Sequence, residues 1–151
     1  MVPAPVAVRS ASQTVASNVL LTGFDAFGGE PINPSWLAVQ ALHGRRIAGH
    51  RVLAAQLPTV FDASLNVLRG LLRQHKPALA ICVGQAGGRS ALSLERVAIN
   101  VNDARIADNA AAQPIDTPVI ASGPAAYFTT LPIKAMLLAL QQAGVAVQVS
   151  Q

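Results

Sequence analysis

Two short, unbroken apolar runs each stop directly at a glycine-rich turn, and that pairing leaves few folds open to the chain. Val19, Leu20 and Leu21 run into Thr22-Gly23 and then Phe24-Asp25-Ala26-Phe27-Gly28-Gly29, while residues 78–83 run into Gly84-Gln85-Ala86-Gly87-Gly88. Runs of strand length without alternation suit strands covered on both faces, as in a parallel sheet. Helical patterns lie between them. Asn33 can cap a helix with Pro34 at its first position and Trp36, Val39, Ala41 and Leu42 on a buried face, before His43-Gly44 ends it. A strand fits residues 52–57, closed by Pro58, and residues 63–73 read as a helix because Leu65, Leu68 and Leu72 recur at helical spacing.

The second half is less regular. Val97, Ile99 and Val101 alternate with Arg96, Ala98 and Asn100, which predicts a strand over 96–101. Residues 102–130 carry no long periodic segment and are punctuated by Pro114, Pro118, Gly123 and Pro124; a connection of that length is usually functional or partly ordered by something else. Pro132 then opens a helix bearing Ile133, Met136, Leu137 and Leu140, Gly144 ends it, and Val145, Val147 and Val149 predict a last strand. No internal repeat is apparent. Strands alternating with helices imply an α/β fold: an open, mostly parallel sheet in three layers, with ligands expected at the carboxyl ends of strands, at 23–29 and 84–89.

Composition narrows the class. Of 151 residues 52% are hydrophobic and 12% charged, with a mean hydropathy of +0.42, so the chain can bury a core. Polar residues interrupt every apolar run far short of the ~20 residues a membrane span needs. The net charge is +4, but the basic residues are scattered, with Arg45, Arg46 and Arg51 the one loose cluster, and aromatics total 4%. A nucleic-acid surface would want a basic stripe interleaved with aromatics, so that reading is set aside. A single cysteine, Cys82, excludes an intramolecular disulfide and fits a reducing compartment. Residues 1–17, rich in Ala, Val, Ser and Pro, read as a disordered tail rather than a transit or secretory signal.

Local chemistry is sparse. Gly28-Gly29 is followed by Glu30-Pro31 where a phosphate loop needs Lys and then Ser or Thr. His43, His50 and His75 lack the spacing of metal ligands. Cys82, inside an apolar run, reads as a buried structural cysteine rather than a nucleophile. Glu95, before an apolar strand, reads on pattern alone as a surface carboxylate paired with Arg89 or Arg96, and Phe24 and Phe27 read as core.

Longer strings say more. LLTGFDAFGGEPINPSW from Leu20, LPTVF from Leu57, ICVGQAGGRS from Ile81, ERVAINVNDARIADN from Glu95 and GPAAYFTTLPIKA from Gly123 occur in an order and spacing that resemble pyrrolidone-carboxylate peptidase, or pyroglutamyl-peptidase I. The resemblance implies a cytoplasmic cysteine peptidase on an α/β/α sandwich, usually homotetrameric, that removes N-terminal pyroglutamate from peptides without metal or cofactor. It implies a Cys-His-Glu triad in which a thiolate attacks the carbonyl and a carboxylate orients the imidazole. Glu95 matches the triad glutamate, and Arg105 an active-site arginine whose charge could stabilise the oxyanion. Phe24 and Phe27 match aromatic walls for the flat lactam ring, Asn33 and Gln85 polar residues of its pocket, and Thr59 and Ile106 its lining.

In the resembling family, a string like Thr-Ala-Gly-Thr-Phe-Val-Cys-Asn-His carries the nucleophile after the strand that here ends at Ser150-Gln151, and the triad histidine comes later still. Cys82 matches a strand residue, and none of the three histidines matches the triad one. The expectation is therefore that residues 18–151 form the N-terminal portion of such a domain, inactive alone because triad members act as a unit. Apolar faces should then stand exposed, leaving the chain marginally stable or prone to associate. The competing expectation, from another functional class, is a non-catalytic protein that binds pyroglutamyl ends.

Overall fold

A computed structural model describes residues 17–150. The tail expected over 1–17 lies, apart from Ser17, outside the described residues; Ser17 itself meets His50 Nδ1 at 3.0 Å. The first apolar run is β1 (Asn18–Phe24), followed by α1 (Pro34–Gln40), β2 (Arg46–Ile47) and β3 (His50–Leu57). Then come α2 (Ala63–His75), β4 (Leu79–Cys82), β5 (Leu92–Glu95), β6 (Val97–Ile99), β7 (Ala126–Phe128), α3 (Ile133–Gln142) and β8 (Val147–Ser150).

The main sheet has the order β2-β3-β1-β4. β1 runs parallel to β3, with Val19 opposite Val52 and Leu21 opposite Ala54, and parallel to β4, with Leu21 opposite Ile81 and Thr22 opposite Cys82. Side chains alternate across a strand, so Leu21, Val52 and, less deeply, Val19, Ala54, Ile81 and Val83 form one face. That face packs on Trp36, Val39 and Leu42 of α1 and the turn after it. Leu20, Thr22 and Leu57 are buried on the other face. From β1 the chain crosses to β3 on one side; from β3 it crosses back over β1 to β4. Right-handed crossovers in opposite directions place α1 and α2 on opposite faces, giving the three layers.

Local signals explain the first half well. The Asn33 side chain accepts from Ser35 N at 3.0 Å and from Ser35 Oγ at 2.8 Å, capping α1, and Pro34 occupies the first turn. Gly23 is required by packing rather than by conformation. A Cβ there would lie 2.7 Å from Ser35 C, Ser35 O and Trp36 Cα, so the absence of a side chain lets α1 sit directly on β1. Lys76 in left-handed conformation ends α2 with its N–H on Leu72 O.

Several expectations are corrected. β4 is not covered on both faces: among the described residues it is the sheet's edge, Leu79 is 37% exposed, and Cys82 is exposed rather than buried. The strand expected over 96–101 is shorter, β6 at Val97–Ile99, and β5, just before it at Leu92–Glu95, was not expected. β5 pairs parallel with β8 and β6 pairs antiparallel with β7, so two strands one residue apart take different partners. Ala41 is exposed as the C-cap of α1, and Val145 lies before β8. Sequence reasoning missed β2, which pairs with the start of β3 through the turn Ala48-Gly49, and β7 inside the long irregular stretch. Large apolar side chains stand in water, among them Ile99, Ile115, Tyr127 and Phe128, the last 74% exposed.

Candidate functional site

Loops leaving β1, β3 and β4 emerge at the same end of the main sheet, because all three strands run parallel. The chain turns to opposite sides after β1 and on reaching β4, and the crevice between two such strands is where open α/β sheets take ligands. A cleft of about 710 Å³ opens there. Its walls include Phe27 from the β1 loop, Thr59 from the β3 loop, Gln85 and Arg89 from the β4 loop, and Arg105 and Ile106 from the stretch after β6. Two aromatic residues, Phe27 and Phe61, an aliphatic side chain, an amide and two guanidinium groups thus line one space.

The turn carrying Phe27 is built for its place. Glu30 N donates to Phe27 O at 3.2 Å, and the two residues between, Gly28 and Gly29, have φ of 65° and 82°, a pair of left-handed conformations that glycine adopts without strain. Asp25, at the base of the same loop, holds more. Its Oδ1 accepts from Thr59 N at 2.7 Å and from Asn109 Nδ2 at 3.4 Å. Its carbonyl accepts from Asn33 Nδ2 at 2.9 Å and Thr59 Oγ1 at 3.2 Å. Asn109 Nδ2 also donates to Ala26 O at 2.8 Å, and Asn109 N to Thr59 O at 3.0 Å.

A second carboxylate ties the same loops. Asp108 Oδ2 accepts from Phe61 N, and Oδ1 from Ala110 N and Ala112 N, each at 2.8 Å. These amides, that of Phe61 foremost, favour the charged form and hold the Asp108 carboxyl below its ordinary pKa, against desolvation that pushes it up. Sequence reasoning overlooked Asp25, Asp108 and Asn109. The signal for Asp108 was present in Asp108-Asn109-Ala110, since a short acid bonding to amides two and four residues ahead is a turn habit of Asp and Asn.

Of the residues expected in the site, Phe27, Thr59, Gln85, Arg105 and Ile106 are brought together in the cleft. Phe24 lies instead on an adjoining cavity of about 260 Å³, which shares Thr59, Phe61 and Asp108 with the cleft. Asn33 lines neither. It is 4% exposed, and its amide is occupied in capping α1 and in holding the Asp25 carbonyl, a bracing position one layer behind the walls. Glu95, at the end of β5, borders the cleft through Arg89, whose Nη1 lies 3.1 Å from Glu95 Oε1. Among the described residues, neither Cys82 nor His43, His50 or His75 lines the cleft, and no cluster of three His, Cys, Asp or Glu is placed to hold a metal ion.

Fold and cleft define an open-sheet α/β protein with a small-ligand site at the carboxyl ends of its parallel strands. Comparison with known proteins narrows this. The family model described as pyroglutamyl peptidase matches residues 17–151, and the chain belongs to that family. The pyrrolidone-carboxylate peptidase of Cupriavidus pinatubonensis is 64% identical over 133 residues, 88% of this chain and 62% of the relative. That of Pectobacterium carotovorum is 57% identical over the same shares. The chain therefore spans about 62% of the length of these relatives. Among solved structures, pyroglutamyl peptidase I of Bacillus amyloliquefaciens superimposes with a TM-score of 0.86 at 50% identity, over 89% of this chain and 65% of that one. A mutant pyrrolidone carboxyl peptidase of Pyrococcus furiosus gives 0.87 at 44% identity, over 89% and 64%.

Proposed function

We propose that these residues supply the pyroglutamyl-recognition pocket and part of the catalytic machinery of a cysteine-type omega-peptidase that removes N-terminal pyroglutamate. The observation that carries this reading is the convergence of Phe27, Thr59, Gln85, Arg105 and Ile106 on one cleft from four separate loops. A lactam is flat and neutral, so an aromatic wall and an aliphatic one can hold its faces while an amide and a hydroxyl orient its edge. Phe24, on the adjoining cavity, completes the aromatic lining, and Asn33 braces the loop from behind.

Glu95 acts in this reading as the carboxylate that holds an imidazole in its useful tautomer, and Arg105 as the charge that stabilises the developing oxyanion. With no thiol or imidazole on the cleft among the described residues, the covalent step is not assigned to Cys82 or to the three histidines. The whole protein, as the family resemblance implies, works in the cytoplasm as a homotetramer without cofactor; no described helix is long and apolar enough to cross a membrane.

Calorimetry with a pyroglutamyl dipeptide and a prolyl control tests the pocket. Binding should be selective for the lactam and lost in Phe27→Ala and Gln85→Ala; no heat at millimolar peptide overturns the reading. A pyroglutamyl-coumarin substrate tests the chemistry. Fluorophore release by residues 1–151 should not exceed that of a Glu95→Ala control, and turnover above it would show that the thiol chemistry is carried within these residues. Selective binding by a full-length relative stripped of all turnover would instead favour a purely binding role.

A further inference from the structure

We propose that Asp25 is a positioning residue for the pyroglutamyl pocket, setting the distance between its walls; this rests on the function proposed above. The Asp25 carboxylate accepts from the β3 loop at Thr59 N and from the 102–112 stretch at Asn109 Nδ2, while its backbone carbonyl accepts from Asn33 at the entrance of α1. Asp25's own loop and the two loops its carboxylate meets each carry a wall of the cleft: Phe27 is two residues beyond Asp25, Thr59 is itself a wall, and Arg105 and Ile106 lie shortly before Asn109. These loops are far apart in sequence, with separations of 34 residues from Asp25 to Thr59 and 84 to Asn109. Nothing local sets their spacing.

The chemistry of the contact suits that task. Among the described residues no cation pairs with the Asp25 carboxylate, so its charge is directed at N–H groups, and such charge-assisted bonds are short and strongly oriented. The bond to Thr59 N is the shortest of the set at 2.7 Å. The carboxylate holds the Thr59 backbone through its N–H, whereas the Thr59 hydroxyl donates to the Asp25 backbone carbonyl, a contact the alanine variant keeps. Asp25 lines neither cavity, so it acts through Thr59, Phe27 and Ile106 rather than on the ligand.

The test compares Asp25→Ala, Asp25→Asn and Asn109→Ala, using pyroglutamyl dipeptide affinity and amide hydrogen exchange of the 151-residue chain. Asp25→Ala should weaken affinity by about tenfold, Asn109→Ala should weaken it less, and the double variant should fall short of the product, as coupled residues do. Asp25→Asn should recover affinity to within about threefold, because its amide oxygen still accepts from Thr59 N. Unchanged affinity in Asp25→Ala overturns the proposal, as does Asp25→Asn binding as weakly as Asp25→Ala. Asn109 is exposed, so its variant keeps the test open if Asp25→Ala does not fold. Should the unaltered chain bind no pyroglutamyl peptide, the functional reading fails, and exchange still judges the positioning. The Thr59 amide and residues 102–112 should exchange faster in both alanine variants, and unchanged exchange there overturns it.

Discussion

Arg89 Nη1 stands 3.1 Å from Glu95 Oε1 across the rim of the cleft, joining the glycine loop after β4 to the end of β5, with the two side chains 44% and 59% exposed. An ion pair that open to water contributes little, because solvent screens it and two long side chains lose freedom to hold it. Arg89→Ala should therefore lower stability by less than about 1 kcal/mol, and the small difference should shrink further in high salt. Urea unfolding at two salt concentrations measures this. A loss well beyond that size would show the pair to be shielded in solution.

Gly23 is the opposite case, a residue with no polar role on which packing depends. Three atoms of the α1 entrance, all backbone or Cα, lie 2.7 Å from where a Cβ would stand, and none can move without shifting the helix. Gly23→Ala should cost about 3 kcal/mol, the upper end of ordinary overpacking, and displace the Phe24–Phe27 loop. Denaturant midpoints check the energy; a loss under 1 kcal/mol would mean that α1 rides freely on β1.

Thr22 is fully buried, and among the described residues its Oγ1 has no hydrogen-bond partner. A hydroxyl removed from water without compensation is a cost, and valine keeps nearly the same shape. Thr22→Val should leave stability unchanged or raise it by up to about 1 kcal/mol. A clear loss in unfolding experiments would reveal a partner for the hydroxyl.

Asp108 predicts a pH dependence with a definite sign. Its pKa is lowered in the folded chain, by the Phe61 amide first. The folded state therefore binds the proton less readily than the unfolded one, so the stabilisation is complete above the ordinary aspartate pKa and is lost as pH falls through the lower folded value. Unfolding midpoints should be flat above about pH 5 and decline below about pH 4, and Asp108→Asn should remove part of that decline. A variant whose acid limb overlays the original would place the effect on other carboxylates.

Much of the first half was legible because its signals are local. Asn33-Pro34 before an apolar face carries a helix start within a few residues, and the apolar run that stops at Thr22-Gly23 carries a strand. Burial and partnership were less legible. Nothing near Cys82 reveals that β4 lies at a sheet edge among the described residues, and nothing near Arg96 reveals that the residues before it pair with β8 and those after it with β7. A period-two pattern says that a segment has two faces, not which strand it will meet.

The same division holds for the site. The sequence by itself determined the family, through long strings of specific residues, together with the residue types of a small-ligand cleft. Only the tertiary structure decided that Phe27, Thr59, Gln85, Arg105 and Ile106 share one cleft, that Asn33 braces it from behind, and that Asp25, Asp108 and Asn109 tie its walls together. The reason is physical. Propensity and capping act over a few residues, whereas bonds spanning 34, 47 and 84 residues form only after the parallel register of β1, β3 and β4 has brought their loops to the same end of the sheet.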